Sequence, residues 1–367
     1  MILLHITDVG DKTSNGVAVA VANYVKYEEK NCKVAIYNLS DYVGEEDSIK
    51  FSFSEYPTIS SLPSQFNKPD LVIFNEVYKP KYIKLYKECI NNNIKYIIIP
   101  HGCLVNKSQK RKRIKKIAGN ILLFNKFVSN ANAIQFLNEN EKNGSKFKYK
   151  KSIIAGNGVT CSTYRNSSSN KNKEFVFIGR YEIKHKGLDL LVKVCSKYHD
   201  WFIDNNIKIK MYGRDSGNDL RKLKRMIYNE KVNDIIIINN AIYNDDKRKV
   251  LENAYAFIQC SRFEGQPMGI IEALSIGVPC VVTYGTYLGD YIESKKCGIA
   301  CNFDVDEIFE AIKKVSDDQE YRNDLSANAY NNANVDFEWK NVIDETIEQY
   351  RMIIGDESDN WRDIFKN

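Results

Sequence analysis

No apolar stretch in this sequence reaches the ~18 residues that a membrane-spanning helix needs, and the N-terminus, MILLHITD, has neither a basic region nor an apolar run long enough for a secretory signal. The expected location is therefore the cytosol. Histidine is scarce, and His5, His101, His185 and His199 are too scattered to suggest a metal centre. The nine cysteines form an odd set without a CxxC pair, and only Cys297 and Cys301 lie close together. That argues against a disulfide framework and against a zinc site, and leaves reduced, mostly buried thiols.

What is present suits a soluble globular protein of about two domains: 367 residues, of which 43% are hydrophobic and 27% charged. The net charge of +6 hides an asymmetry. Residues 1–160 carry 24 Lys and Arg against 14 Asp and Glu, a balance of +10, whereas residues 161–367 carry 29 against 33, a balance of −4. The two halves face different partners.

Apolar, β-branched runs of strand length recur in both halves: MILLHI, KVAIYNL, DLVIFNEV and KYIIIPHG, then EFVFIGR, IKIKMYGR, NDIIIINN, AFIQCS and PCVVTYG. Helical patterns such as GVAVAVANYVKYEEK and KGLDLLVKVCSKY separate them. Strands that are continuously apolar belong to parallel sheets covered on both faces, so each half reads as a doubly wound, Rossmann-like α/β domain. The polar stretch CSTYRNSSSNKNK, residues 161–173, reads as the linker between a domain at 1–160 and one at 174–335. Residues 336–354 have helical spacing and are expected to pack back toward the first domain, and residues 355–367 form an acidic tail. Paired domains of this kind take ligands at the carboxyl ends of their strands, and the cleft between them is where chemistry is expected.

Two segments at strand ends carry the chemistry. In IGRYEIKHKGLD, a strand ends at Gly179-Arg180 and a helix opens near Lys186-Gly187, so Arg180 and Lys186 offer a forked guanidinium and a mobile ammonium to a pair of phosphates. Both could equally be surface charges on a loop. In FEGQPMGIIEAL, Pro267 suits a first helical turn, which leaves backbone N–H groups near Met268 and Gly269 free to face an anion. Gly265 and Gly269 allow close approach of a ligand. Glu264 and Glu272 are unsuited to phosphate but suit the hydroxyls on either side of it, sugar at one end and ribose at the other. Glu264 as a helix cap and Glu272 as an acid complementing the helix dipole are the plainer alternatives.

FEGQPMGIIEALSIGVPCVVT resembles the E-x7-E signature of retaining GT-B glycosyltransferases, in particular glycosyltransferase family 4, and GRYEIKHKGLDLL resembles that family's phosphate-binding segment. IIPHGCL and SNGVAVAVANYV match weaker patterns near the N-terminus. The resemblance implies a GT-B fold and a metal-independent hexosyltransferase without a cofactor. Its donor is a nucleotide sugar, more readily UDP-linked, held by Gly16, His101, Arg180, Lys186, Glu264, Gly265, Met268, Gly269 and Glu272. Of these Glu264, Arg180, Lys186 and His101 are the expected catalytic group. The chain has Asn15-Gly16 where many relatives have Gly-Gly.

One segment accounts for the basic excess. KSQKRKRIKK holds Lys107, Lys110, Arg111, Lys112, Arg113, Lys115 and Lys116, and Ile114, Ile117, Ile121 and Leu122 recur behind it at helical spacing. No aromatic residue interrupts the run to stack on bases, so an anionic membrane surface or a lipid-linked acceptor suits it better than nucleic acid; a solvated face is the plain alternative. The expected function is transfer of a hexosyl unit to a glycan or lipid-linked glycan in bacterial surface polysaccharide synthesis, at the inner face of the membrane. A non-hydrolysing nucleotide-sugar epimerase and a non-catalytic partner subunit of a glycosyltransferase complex are the alternatives.

Overall fold

The computed structural model describes residues 1–8, 16–40, 48–105, 123–145, 147–161, 163, 164 and 173–355. The basic residues from Lys107 to Lys116, Asn15, most of the 161–173 stretch and the tail from 356 onward lie outside the described residues. The chain forms two compact units, one of residues 1–157 with 339–367 and one of residues 158–338.

The first unit is built on a seven-stranded parallel sheet of β1 (Ile2–Thr7), β2 (Lys33–Asn38), β3 (Lys50–Ser52), β4 (Leu71–Asn75), β5 (Lys95–Ile99), β6 (Ala133–Phe136) and β7 (Ser152–Ile154), in the order β3-β2-β1-β4-β5-β6-β7. Successive residues of a strand point to opposite faces, which explains the unbroken apolar runs. Leu4, Val72, Phe74 and Ile98 enter one core while Leu3, Leu71, Ile73 and Ile97 enter the other. The last helix, Trp339–Gly355, belongs to this unit. Trp339 meets Tyr24 edge-on at 5.3 Å and stacks on Tyr27 at 5.8 Å, both on the first helix, Gly16–Glu28, and the Tyr350 hydroxyl donates to Gln135 Oε1 at 2.7 Å.

The second unit repeats the plan with β8 (Lys173–Ile178), β9 (Ile207–Tyr212), β10 (Ile236–Asn239), β11 (Ala256–Gln259), β12 (Cys280–Thr283) and β13 (Gly298–Cys301), in the order β10-β9-β8-β11-β12-β13. All its pairs are parallel. The winding direction reverses between β8 and β11, and such a reversal opens a crevice at the strands' carboxyl ends. Arg180 follows β8 and Glu264 follows β11, so the local order of the chain puts both segments at that point. Among the described residues no helix is long and apolar enough to cross a membrane.

Candidate active site

Gly187 explains how the two motifs of the second unit come together. It ends the short helix Ile183–Lys186 in the left-handed region, at φ +65°, and starts the helix Leu188–Lys197. A Cβ there would lie 1.8 Å from the carbonyl oxygen of Cys260, so only glycine lets this corner rest on the end of β11. Lys186 is thereby laid beside the loop that leaves that strand. Its Nζ is 2.7 Å from Glu264 Oε1, and the same oxygen accepts from Gln259 Nε2 at 2.8 Å and Ser261 Oγ at 2.6 Å. Gln259 and Ser261 are buried. Among the described residues Glu264 Oε2 takes no hydrogen bond, so one carboxylate oxygen is anchored and the other is available to a ligand.

A second network ties Arg180 to the same loop. The Arg180 guanidinium lies 3.0 Å from Glu182 Oε1, which also accepts from Ser216 at 3.0 Å. Glu182 Oε2 faces His185 Nδ1 at 2.6 Å, and His185 Nε2 faces the carbonyl of Phe263 at 2.8 Å, with the imidazole stacked on the Phe263 ring at 4.0 Å. Burial raises the Glu182 carboxyl, but the His185 and Ser216 hydrogen bonds and the Arg180 charge outweigh it and hold it below the usual carboxylate range. Arg262 adds a forked pair to Asp189 at 2.7 and 3.0 Å. Among the described residues Arg180 thus reaches Glu264 indirectly, through Glu182, His185 and Phe263.

Glu272 lies in the helix Met268–Ser275 and pairs with Lys247 of the helix Asn244–Glu252. Two expectations for this segment need correction. The Met268 amide is not free: Pro267 stands before the helix as its cap residue, and the turn it makes lets Met268 donate to Gln266 O at 3.0 Å. The Gly269 amide has no acceptor among the described residues, but a Cβ at Gly269 would meet the Phe257 ring at 3.0 Å and Ile178 O at 3.4 Å, so its smallness serves helix-on-sheet packing. At Gly265 no described atom lies within 4 Å of such a Cβ.

His101 and Gly16 belong to the first unit. Gly16 is the first residue of the first helix, and no described atom lies within 4 Å of where its Cβ would be. His101 follows β5 in the left-handed region at φ +47°, unusual for a side chain larger than glycine. The next amide, Gly102, donates to Glu141 Oε1 at 2.5 Å, while Leu137 donates to Glu141 Oε2 at 2.7 Å, which pins the turn. His101 Nε2 lies 3.1 Å from Asn75 Oδ1. Burial, with a contribution from His5, pushes the His101 imidazole down to about 4, so it is neutral at physiological pH. Among the described residues no three His, Cys, Asp or Glu side chains gather as a metal-ligating set.

Sequence reasoning missed Gln259, Ser261, Glu182, His185, Lys247 and Asn75. For Gln259 and Asn75 a signal was present, since each is a polar side chain at the carboxyl end of an otherwise apolar strand.

Residues 163–332 match the family model of glycosyl transferases group 1. An uncharacterized glycosyltransferase of Haemophilus influenzae is 27% identical over 220 residues, and the match spans 58% of this chain and 57% of that protein. Among solved structures, sucrose-phosphate synthase of Thermosynechococcus elongatus superposes with a TM-score of 0.74 at 14% identity, covering 96% of this chain and 99% of that one. HepE of Anabaena, solved in complex with UDP and glucose, superposes with a TM-score of 0.71 at 13% identity, covering 95% and 99%.

Proposed function

Because this chain belongs to the glycosyl transferases group 1, through its residues 163–332, and has the GT-B fold, we propose that it is a retaining hexosyltransferase that takes a sugar from a UDP-linked donor. The acceptor is a glycan or lipid-linked glycan, in surface polysaccharide synthesis at the inner face of a bacterial membrane. The observation that carries the reading is the cluster at the point where the second sheet reverses: Lys186 and Glu264 in direct contact, with Arg180 joined to the same loop.

Each group has a role in this proposal. Arg180 and Lys186 neutralise the diphosphate that accumulates charge as the glycosidic bond breaks, and the Gly269 amide at the helix start adds a fixed dipole. Glu264 accepts a sugar hydroxyl through its open oxygen, while Gln259 and Ser261 keep the other one in place. Glu272 holds the ribose, with Lys247 exchanging this partner for solvent as the nucleoside enters. His101 meets the sugar, and the basic residues 107–116 meet anionic lipid or the lipid-linked acceptor. UDP is favoured as the carrier by the likeness to HepE of Anabaena.

The test is a panel of nucleotide sugars, UDP-glucose among them, incubated without acceptor and scored for slow hydrolysis. The released or transferred sugar is then followed by NMR for its anomeric configuration. Donor cleavage with retention is expected; inversion, or epimer formation in place of cleavage, would refute the proposal.

A further inference from the structure

A buried chain of polar side chains runs through the first unit to His101. Glu28, at the end of the first helix, and His5, in β1, are both fully buried, and Glu28 Oε2 lies 2.7 Å from His5 Nε2. The other Glu28 oxygen is buried without a hydrogen-bond partner. A half-satisfied buried carboxylate is costly, and among the described residues its one hydrogen bond is to His5.

That bond has a direction. A carboxylate only accepts, so His5 Nε2 carries a hydrogen. Asn75, the buried last residue of β4, faces His5 Nδ1 with Nδ2 at 3.4 Å. The same Nδ2 lies 3.4 Å from Ile6 O and 3.5 Å from Ile73 O, two carbonyls that also only accept. Two carbonyls at one end of the amide require its NH2 there and leave its oxygen to face the other way, toward His101 Nε2 at 3.1 Å. His101 Nε2 must then be the donor. In a neutral imidazole this leaves Nδ1 with a lone pair, and among the described residues Nδ1 has no partner.

We infer that Asn75 is a positioning residue that holds His101 as the Nε2–H tautomer, so that Nδ1 accepts a hydrogen bond from a hydroxyl of the sugar substrate. The inference rests on the glycosyltransferase reading for the identity of the hydroxyl, but the tautomer follows from this chain's own side chains. The depressed basicity of His101 supports it, because a neutral ring is required.

The experiment uses the full chain labelled with 15N-histidine, with His101 identified from the spectrum of His101→Gln. In the wild type, His101 should show a pyrrole-like Nε2 and a pyridine-like Nδ1. Asn75→Leu removes the acceptor and should yield a tautomer mixture, with kcat/KM for the accepted nucleotide sugar falling by roughly tenfold, the worth of one hydrogen bond. A wild-type His101 protonated on Nδ1 or on both nitrogens overturns the inference without any variant having to fold. It is equally overturned if Asn75→Leu keeps a pure Nε2–H ring, or if the tautomer changes while kcat/KM stays put. A wild-type enzyme that cleaves no nucleotide sugar would count against the proposed function, and the nitrogen shifts would still decide the tautomer.

Discussion

Lys186 and Glu264 satisfy each other, and this makes opposite predictions for their removal. The two side chains are 13% and 9% exposed and 2.7 Å apart. Breaking such a pair from one side costs ~3–5 kcal/mol when nothing replaces the lost partner. In Lys186→Met the Glu264 carboxylate keeps its hydrogen bonds from Gln259 and Ser261, so the loss should be smaller, about 2–3 kcal/mol. In Lys186→Met/Glu264→Gln both charges are gone and the amide oxygen still accepts from the same two donors, so most of that stability should return.

Binding of free UDP separates the two partners further. Losing Lys186 removes a charged hydrogen bond to the diphosphate and should weaken binding by roughly 10- to 150-fold. Losing the Glu264 charge removes a competitor for Lys186 and a repulsive neighbour of the anion, so Glu264→Gln should tighten UDP binding, by roughly 3- to 10-fold, while turnover falls. Isothermal titration calorimetry with UDP reads the affinities, and thermal unfolding by scanning calorimetry reads the stabilities. If Glu264→Gln weakened UDP binding as much as Lys186→Met, Glu264 would be orienting Lys186 rather than competing for it.

Other consequences are open to direct measurement. Gly187→Ala drives a Cβ into the Cys260 carbonyl and should cost several kcal/mol, whereas Gly265→Ala has open space and should leave unfolding unchanged; lost donor cleavage in the second variant then reports ligand approach. Glu272→Ala should raise KM for the donor with little change in kcat, because ribose does not change during reaction; steady-state kinetics showing a kcat-only defect would remove that assignment. His101 ordinarily titrates near 6.5 and is held at about 4, so the unfolded chain takes up its proton first. Stability from this group is complete above pH 6.5 and is lost as pH falls toward 4, by up to about 3 kcal/mol; urea unfolding of His101→Gln should show a correspondingly flatter slope across that window. Replacing the seven basic residues of 107–116 by Gln should weaken sedimentation with anionic vesicles by about 1 kcal/mol per residue at low salt, with UDP affinity unchanged in calorimetry.

The sequence by itself determined what depends on near neighbours along the chain. Continuous apolar runs such as YIII and AFI, separated by helical periods, point to parallel strands covered on both faces, and both sheets are of that kind. AFIQCSRFEGQPMGIIEALSIG was legible as strand, loop and helix because the three follow one another along the chain, and Pro267 and Gly277 punctuate them. The cap geometry was not legible, since whether Pro267 stands at the first helical turn or before it depends on a backbone angle that composition does not report, and the Met268 amide follows that angle. Contacts between distant segments were decided only by tertiary structure. Lys186 meets Glu264 across 78 residues because β8 and β11 are neighbours in the sheet and Gly187 lets the corner settle on Cys260. Likewise Glu28, His5, Asn75 and His101 come from a helix end, two strands and a turn, and align because β1 lies beside β4, with His5 opposite Ile73. Periodicity records which residues turn inward. It carries no record of which strand lies beside which, and the direction of the Asn75–His101 hydrogen bond is set by those neighbours.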